Sequence, residues 1–520
     1  MSRQGAPPER SAADLLSMFG AAPGTRPPEG SARSPRERVN RPVAPRRGLA
    51  RPGRGWSPVH PPLAVYQAAT HEIGGLFPLL SASPIPAVGA RIGYDVLSGG
   101  AFYCHPVEFV LRGLCTNPNV VVFGEPGKGK SSTVVAFVLR MMVFGVRTLI
   151  SGDVKGEYTS LLKALGVTPI MLGAGSSARL NALDLGPLTA RWDSWSVARQ
   201  REELDGVLGR WAQLLVALAE AQGYNPTVTD EAVLSAVLRR LVGVTDGYTR
   251  LRPITIPDVQ RELANPDSAL WTEMRFADRR HFLDHLRSIT DALANLISGP
   301  LAGLFDEQTN FTLDWNAPVQ SMDLSRLRSR GDQAVAVGLT CLGSWSSMVT
   351  DLQEDGELRI VVRDEIWRQL RLGLRAVQAV DSELRLSRAE RKIQVLVSHK
   401  PSDFLSVGAT GSQEVAIAKD LLALCSTRIL FGQSTRVADE LADDLALTDK
   451  EQQVTTGWAN DRRGRALWKI ENRTGFKVQT VLSDVERKLF DTNAQLRKDP
   501  NGFRKTEGSV GRKPRSGRQE

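Results

Sequence analysis

Eight consecutive residues carry the sharpest chemical signal in this chain. Gly124-Glu125-Pro126-Gly127-Lys128-Gly129-Lys130-Ser131 fits the spacing G-x-x-x-x-G-K-[ST] at every fixed position. Glycines at these positions let successive backbone N–H groups turn inward and hold phosphate oxygens, and a following helix N-terminus adds its partial positive charge. Lys130 is expected to neutralise the β- and γ-phosphates of ATP and Ser131 to ligate Mg²⁺, with the loop through Ser132 forming the nucleotide-binding set. The context agrees: an all-apolar run at 120–123 leads in, and a stretch rich in Val, Ala, Leu and Met follows.

A phosphate loop needs an acidic partner at the tip of a neighbouring strand. Leu358-Arg359-Ile360-Val361-Val362-Arg363-Asp364-Glu365 supplies one. Asp364 is expected to hold Mg²⁺ through water, and Glu365 to polarise the water that attacks the γ-phosphate. Arg363 interrupts the apolar run before Asp364, which points either to a solvent-facing side chain or to a pairing with a nearby acid. Asp153, in Ser151-Gly152-Asp153-Val154-Lys155-Gly156-Glu157-Tyr158, follows the second strand and is a further candidate for nucleotide or Mg²⁺ contact, with Lys155 and Glu157 beside it. His399 ends the fourth apolar run and can donate to a γ-phosphate or to the attacking water. Arg385, Arg388 and Arg391 precede that run, and in a ring one of these guanidiniums could reach a neighbour's site.

The elements that must position these groups read as alternating short apolar runs and helical stretches, the pattern of a mostly parallel sheet flanked by helices. Five runs, 120–123, 147–151, 358–362, 393–397 and 428–431, end in a glycine, a polar residue or a charge, where ligands sit in such sheets. Runs 466–470 and 477–482 read as an antiparallel hairpin, and residues 90–105, with the turn Ser98-Gly99-Gly100, as a small β element preceding the core. Residues 190–300 carry helical spacing (Leu204, Val207, Leu208, Trp211, Leu214, Leu215, Leu218), with helix starts at Thr229 and Thr255. The fold class is therefore α/β, a P-loop core with a mostly parallel sheet and an all-helical insertion. The expected division is a disordered Arg/Pro-rich tail over 1–60, a lead-in with a small β element over 61–118, core segments over 119–189 and 301–492 flanking the insertion at 190–300, and a basic tail over 493–520.

Charge narrows the class of partner. The chain of 520 residues has a formal net charge of +9, of which residues 1–60 carry +7 and residues 497–520 carry +5, so the body between them is slightly acidic. A uniformly basic DNA-binding body is not supported, while a local basic channel stays open because net charge says nothing about distribution, and Arg-rich tails suit anionic lipid, nucleic acid or acidic surfaces. Four widely spaced cysteines without metal-ligand spacing read as reduced, buried thiols of a cytoplasmic protein. No stretch of about eighteen apolar residues lacks a charge, so no membrane span is expected.

As an ordered set, these blocks resemble the ATPase domain of the VirB-type and TraC-like traffic ATPases of conjugation and type IV secretion, within the HerA/FtsK superfamily. The resemblance runs through the P-loop, Asp153-Val154-Lys155-Gly156-Glu157-Tyr158, Asn181-Ala182-Leu183-Asp184-Leu185, Gly303-Leu304-Phe305-Asp306, Asp364-Glu365-Ile366-Trp367 and Glu486-Arg487. It implies a RecA-like core acting as an ATP- and Mg²⁺-dependent motor, assembled as a homo-oligomer, either a ring, expected to be hexameric, or a dimer, and peripheral at the inner face of the cell membrane. Its expected partners are the membrane components of a transfer apparatus, with DNA as a candidate substrate. It also implies that Arg391 or Arg388 serves the adjacent subunit's site. His399 stands where the family often has Gln. Two rival expectations share the core: a double-stranded DNA translocase of the FtsK type, and a nucleotide-gated assembly platform with little turnover.

Overall fold

The computed structural model describes residues 85–489 apart from 244–250, 300, 315, 352–356, 401, 409, 410 and 472. Both basic tails expected from the sequence fall outside the described residues.

An eleven-stranded sheet organises the described residues, in the order β2-β1-β11-β10-β9-β3-β8-β7-β4-β6-β5. The strands are β1 (Ala90–Asp95), β2 (Ala101–Cys104), β3 (Val120–Phe123), β4 (Arg147–Asp153), β5 (Ile170–Met171), β6 (Val319–Asp323), β7 (Arg359–Arg363), β8 (Lys392–Val397), β9 (Thr427–Phe431), β10 (Arg465–Ile470) and β11 (Phe476–Thr480). From β9 to β5 every pairing is parallel; β9 to β10, β10 to β11, β11 to β1 and β1 to β2 are antiparallel.

Burial on both faces explains why β3 has no polar residue. Val120 and Val122 pack on the side of the helix Lys130–Met141, against Val134 and Val138. Val121 and Phe123 pack on the opposite side, in the core that holds Val377, Val380, Leu384, Leu421 and Leu422 of the helices Leu374–Leu386 and Gln413–Ala423. Strands flanked by helices on both faces are expected to be continuously apolar. Five runs identified from the sequence form the central parallel strands, and the later pair forms the β10–β11 hairpin.

Between β5 and β6 the described residues include a series of helices. The helix Val197–Ala221 starts at Ser196, whose hydroxyl accepts from the Arg199 amide, and it buries the stripe Leu204, Val207, Leu208, Trp211, Leu214, Leu215 and Leu218. The next helix, Val228–Val242, is capped by Thr227 rather than by the expected Thr229. Thr227 and Asp230 form a reciprocal capping box, which needs a three-residue spacing. Thr255 caps Ile256–Ala264 as expected, with Asp258 as its partner. These helices share one core with Met322, Leu324 and the helix Asp332–Asp351.

Two features differ from the sequence expectation. The β1–β2 hairpin is not a separate element ahead of the core: β1 pairs with β11, so it extends the same sheet at its antiparallel end. Strands β5 and β6 were not anticipated, since β5 has two residues and β6 (Val-Gln-Ser-Met-Asp) alternates too irregularly to signal a strand. All four cysteines are free and buried. Among the described residues no helix is long and apolar enough to cross a membrane.

Candidate functional site

At the C-terminal ends of the parallel strands lies a cavity of about 600 Å³. Its floor is the loop after β3. Gly127 and Gly129 have φ of +79° and +105°, a backbone region that L side chains rarely adopt. Gly129 also meets another part of the chain, since a Cβ there would lie 2.8 Å from the Gly464 amide nitrogen. The loop is held from outside by backbone bonds. Gly124 donates to the His399 carbonyl (3.1 Å), Glu125 to Gly432 (3.3 Å), and Gly464 donates to Lys128 (2.9 Å).

Side chains at the variable loop positions are taken up by the protein. Glu125 accepts from the Ser434 amide at 3.1 Å, and Lys128 donates to the Asn460 carbonyl at 3.2 Å. Ser132 Oγ donates to the Gly129 carbonyl at 3.0 Å, within its own helical turn. Pro126, Gly127, Gly129, Lys130, Ser131 and Ser132 line the cavity. Lys130 is buried and donates to the carbonyl oxygens of Gly124 and Glu125. Burial pushes its ammonium down to about 8, with the Asp364 charge opposing.

Strand β7 delivers the acidic pair. Asp364 is buried beside the cavity and accepts from the Glu365 amide at 3.0 Å. Burial, with Glu157 and Glu365 nearby, pushes its carboxyl up to about 8. Glu365 turns away from the strand at φ +54°, a strained conformation for a side-chain-bearing residue. Its carboxylate is surrounded by donors: Lys155, Trp367 Nε1 at 2.7 Å and His399 Nε2 at 3.0 Å. Burial alone would raise the Glu365 carboxyl; hydrogen bonds from His399 and Lys155 overcome it and hold the group well below the usual carboxylate range.

His399 joins the two halves of the site. Its Nδ1 lies 3.2 Å from Lys130 Nζ and its Nε2 3.0 Å from Glu365 Oε1. An ammonium can only donate and a carboxylate can only accept, so Nδ1 accepts from Lys130 and Nε2 carries the proton at its shorter contact, the one to Glu365; Lys155 Nζ, 3.4 Å from the same nitrogen, donates to Glu365 instead. The ring is thereby assigned as the neutral Nε2–H tautomer, bridging the phosphate-loop lysine and the Glu365 carboxylate.

No family model and no curated protein matches the sequence. Among solved structures the chain is similar to VirB4 of Thermoanaerobacter pseudethanolicus, with a TM-score of 0.61 and 18% identity over 78% of this chain and 100% of that one. The chain has the VirB4 fold. The bacterial conjugative coupling protein TrwBΔN70 follows with a TM-score of 0.49 and 13% identity, over 79% of this chain and 92% of that chain. At 18% identity the likeness to VirB4 is one of fold, and this sheet is what brings the P-loop, β7 and β8 tips together.

Within this VirB4-like fold, the remaining sequence candidates are placed unequally. Asp153 ends β4, but its carboxylate serves the loop that follows. Oδ1 accepts from the amides of Lys155 (3.2 Å), Gly156 (2.7 Å) and Glu157 (3.1 Å), and Oδ2 from Tyr158 (3.1 Å). Burial nevertheless pushes the Asp153 carboxyl up to about 6. Lys155 and Glu157, which that loop presents, line the cavity, whereas Asp153 does not. Arg391 directly precedes β8 and Arg388 lies just before it, both exposed. They sit at the strand's N-terminal end and His399 beyond its C-terminal end, roughly 25 Å from Arg391 at about 3.3 Å per residue. The fold therefore does not bring either arginine to this chain's own cavity.

The opposite wall comes from the antiparallel extension, through Arg463, Gly464, Thr480, Leu482 and Arg487. Sequence reasoning did not single out Arg463 or Thr480 as site residues. The turn Arg462-Arg463-Gly464 entering β10 was the available signal, but the sheet order that carries it to a loop more than three hundred residues earlier is invisible to local patterning. The candidate groups fit ATP with Mg²⁺. Gly127 and Gly129 take positive φ in the loop that lines the cavity, and Lys130, Ser131 and Asp364 face the same cavity. No cluster of three or more His, Cys, Asp or Glu that could hold a metal by itself occurs among the described residues. That suits Mg²⁺, which takes one or two protein ligands and completes its shell with phosphate and water.

Proposed function

We propose that this chain is an ATP-hydrolysing motor of a conjugative DNA-transfer or type IV secretion apparatus. The observation that carries the reading is the single cavity in which Lys130, Asp364, Glu365 and His399 meet at the parallel strand tips. In this reading the loop amides of 124–131 hold the phosphates, and the Lys130 ammonium neutralises the β- and γ-oxygens. Ser131 and Asp364 would hold Mg²⁺, which supplies charge neutralisation and orientation of the phosphates when bound. Glu365, kept ionised by its donors, accepts a proton from the attacking water as general base. His399 fixes the orientation of that carboxylate.

The ring expected from the resemblance gives Arg388 and Arg391 their place. Both lie away from their own cavity, and one of them, Arg391 or Arg388, serves a neighbouring subunit's phosphates as an arginine finger supplied in trans. Assembly as a homo-oligomer at the inner face of the membrane, with membrane components as partners, belongs to the same proposal.

The test is steady-state ATPase activity of the purified chain, of Glu365→Gln and of Lys130→Ala, with nucleotide binding measured alongside, with and without duplex or single-stranded DNA at low salt. Glu365→Gln is expected to bind ATP and lose at least about 10²-fold in turnover, consistent with the usual weight of general base catalysis, while Lys130→Ala loses binding. Equal turnover in all three chains would refute the assignment. Strong stimulation by DNA would move the reading from a secretion motor to a DNA translocase.

A further inference from the structure

We propose that Arg363 is a positioning residue that sets the tip of β7, and hence Asp364 and Glu365, from a buried ion pair on the far side of the strand. The inference rests on the roles given above to those two carboxylates. Arg363 is 3% exposed, and its guanidinium pairs with Glu383 on the helix Leu374–Leu386. Its Nε reaches Gln394 Oε1 on β8 at 3.4 Å, and Nη2 reaches Ser347 Oγ at 3.5 Å on the helix Asp332–Asp351. One residue thus ties β7 to a neighbouring strand and to two helices.

Room for this guanidinium is built into the packing. At Gly343, on the helix Asp332–Asp351, a Cβ would lie 2.9 Å from Arg363 Nη1 and 3.1 Å from Gln369 Nε2. Beside the pair runs a cavity of about 300 Å³, lined by polar groups that include Arg210, Gln369, Glu383 and Glu390. Stability alone does not call for such a group, because apolar side chains of similar volume commonly replace a buried ion pair without loss. What a guanidinium adds is geometry: a planar fork whose direction is fixed by several acceptors at once. It stands directly before Asp364, and two residues before the point where the chain leaves the strand at φ +54°. The peptide carrying Asp364 is therefore held on one side by the ladder to β8 and on the other by this fork.

The helix bearing Glu383 is itself attached to the helical region. Arg375, near its start, pairs with Glu231 on Val228–Val242 and lies 3.9 Å from Glu220 on Val197–Ala221. A displacement of those helices is transmitted through Glu383 to Arg363 and so to the acidic tip.

The experiment compares the full chain with Arg363→Met, Glu383→Met, the double variant and Glu383→Gln. Each is read by melting temperature, by kcat and KM for ATP, and by the fluorescence difference from its own Trp367→Phe counterpart. Trp367 donates to Glu365, so its emission reports the tip whether or not ATP is hydrolysed. Each single Met variant leaves a buried charge and should melt lower, and the double variant should regain the wild-type melting temperature. Despite that recovery the double variant should turn over about 10²-fold more slowly at little-changed KM, the size of effect a small misplacement of reacting groups produces, and its Trp367 emission should stay shifted. Recovery of kcat and emission together with stability would overturn the proposal. If the double variant does not regain stability, Glu383→Gln decides: a fall in kcat supports the proposal, and wild-type kcat with wild-type emission overturns it. A wild-type chain without ATPase activity would sink the functional reading, while the Trp367 comparison would still judge this inference.

Discussion

Replacing Gly129 by alanine separates two physical effects that the phosphate loop combines, and Gly127→Ala is its control. Both glycines have φ in the left-handed region, +79° at Gly127 and +105° at Gly129. At Gly127 no protein atom lies within 4 Å of an added Cβ, so the penalty is the backbone conformation alone, about 1–2 kcal/mol. At Gly129 the backbone penalty is about 1–3 kcal/mol. The added Cβ also meets the Gly464 nitrogen at 2.8 Å and its Cα at 3.2 Å. Backbone cannot rotate away as a long side chain can, so overpacking adds about 1–3 kcal/mol, for a total near 4 kcal/mol. With an unfolding entropy of about 2.1 cal/mol/K per residue, a body of roughly 400 residues converts ~0.8 kcal/mol into one degree. Thermal melts without nucleotide should therefore fall by about 1–2 °C for Gly127→Ala and about 5 °C for Gly129→Ala by the same conversion. Equal losses in the two variants would refute the claim that β10 and the phosphate loop are packed backbone against backbone.

Two further outcomes follow from other charges. Lys469 Nζ donates to Glu451 Oε2 at 2.7 Å and to the Ala446 carbonyl at 2.8 Å, with both side chains buried, so Lys469→Met leaves a buried carboxylate and should cost about 3–5 kcal/mol. Burial would raise the Glu451 carboxyl, but Lys469 and the amides of Thr448 and Gly475 hold it below its ordinary value of 4.5. A lowered acid contributes stability that is complete above its unfolded value and is lost as pH falls through the folded one, so the difference in melting temperature from wild type should shrink below that pH. A constant gap from pH 7 to pH 3 would count against the pairing. Lys155→Met removes one of the donors that keep Glu365 ionised, so the acid limb of the pH–rate profile should move to higher pH. An unmoved limb would mean that Lys155 does not hold the carboxylate in the working enzyme.

The parts of the fold that were legible are those whose information is local. Val120–Phe123 announces a strand buried on both faces because all four positions are apolar, and the glycine spacing after it can serve few purposes other than a phosphate cradle. Strand β6 was not legible because Gln320 and Ser321 occupy a position between β4 and β5, where tertiary packing overrides propensity. Asp153 was legible as an acid at a strand tip. Its task of collecting four backbone amides was not, since that depends on the path of the loop after it. Arg363 stood out as an exception to the apolar run, but its partner Glu383 is twenty residues away on another element, and only the packing identifies it.

The same distinction governs how the site responds to a phosphate. Lys130 offers three N–H donors, and three protein acceptors surround it: the carbonyls of Gly124 and Glu125, and His399 Nδ1. A γ-phosphate that binds Lys130 as proposed must therefore take a donor from one of them. The two carbonyls belong to the loop that encloses the phosphates, whereas His399 follows β8 and its ring can turn about its own side-chain bonds. Losing the bond at Nδ1 removes one of the two constraints that orient the ring, and its other nitrogen holds Glu365. In the proposed function, phosphate binding at Lys130 would thus be coupled to Glu365 through one imidazole. Glutamine, the residue the resemblance leads one to expect at 399, offers a carboxamide whose oxygen accepts and whose nitrogen donates, so it can make the same pair of bonds if its flexible chain turns the oxygen to Lys130 and the nitrogen to Glu365.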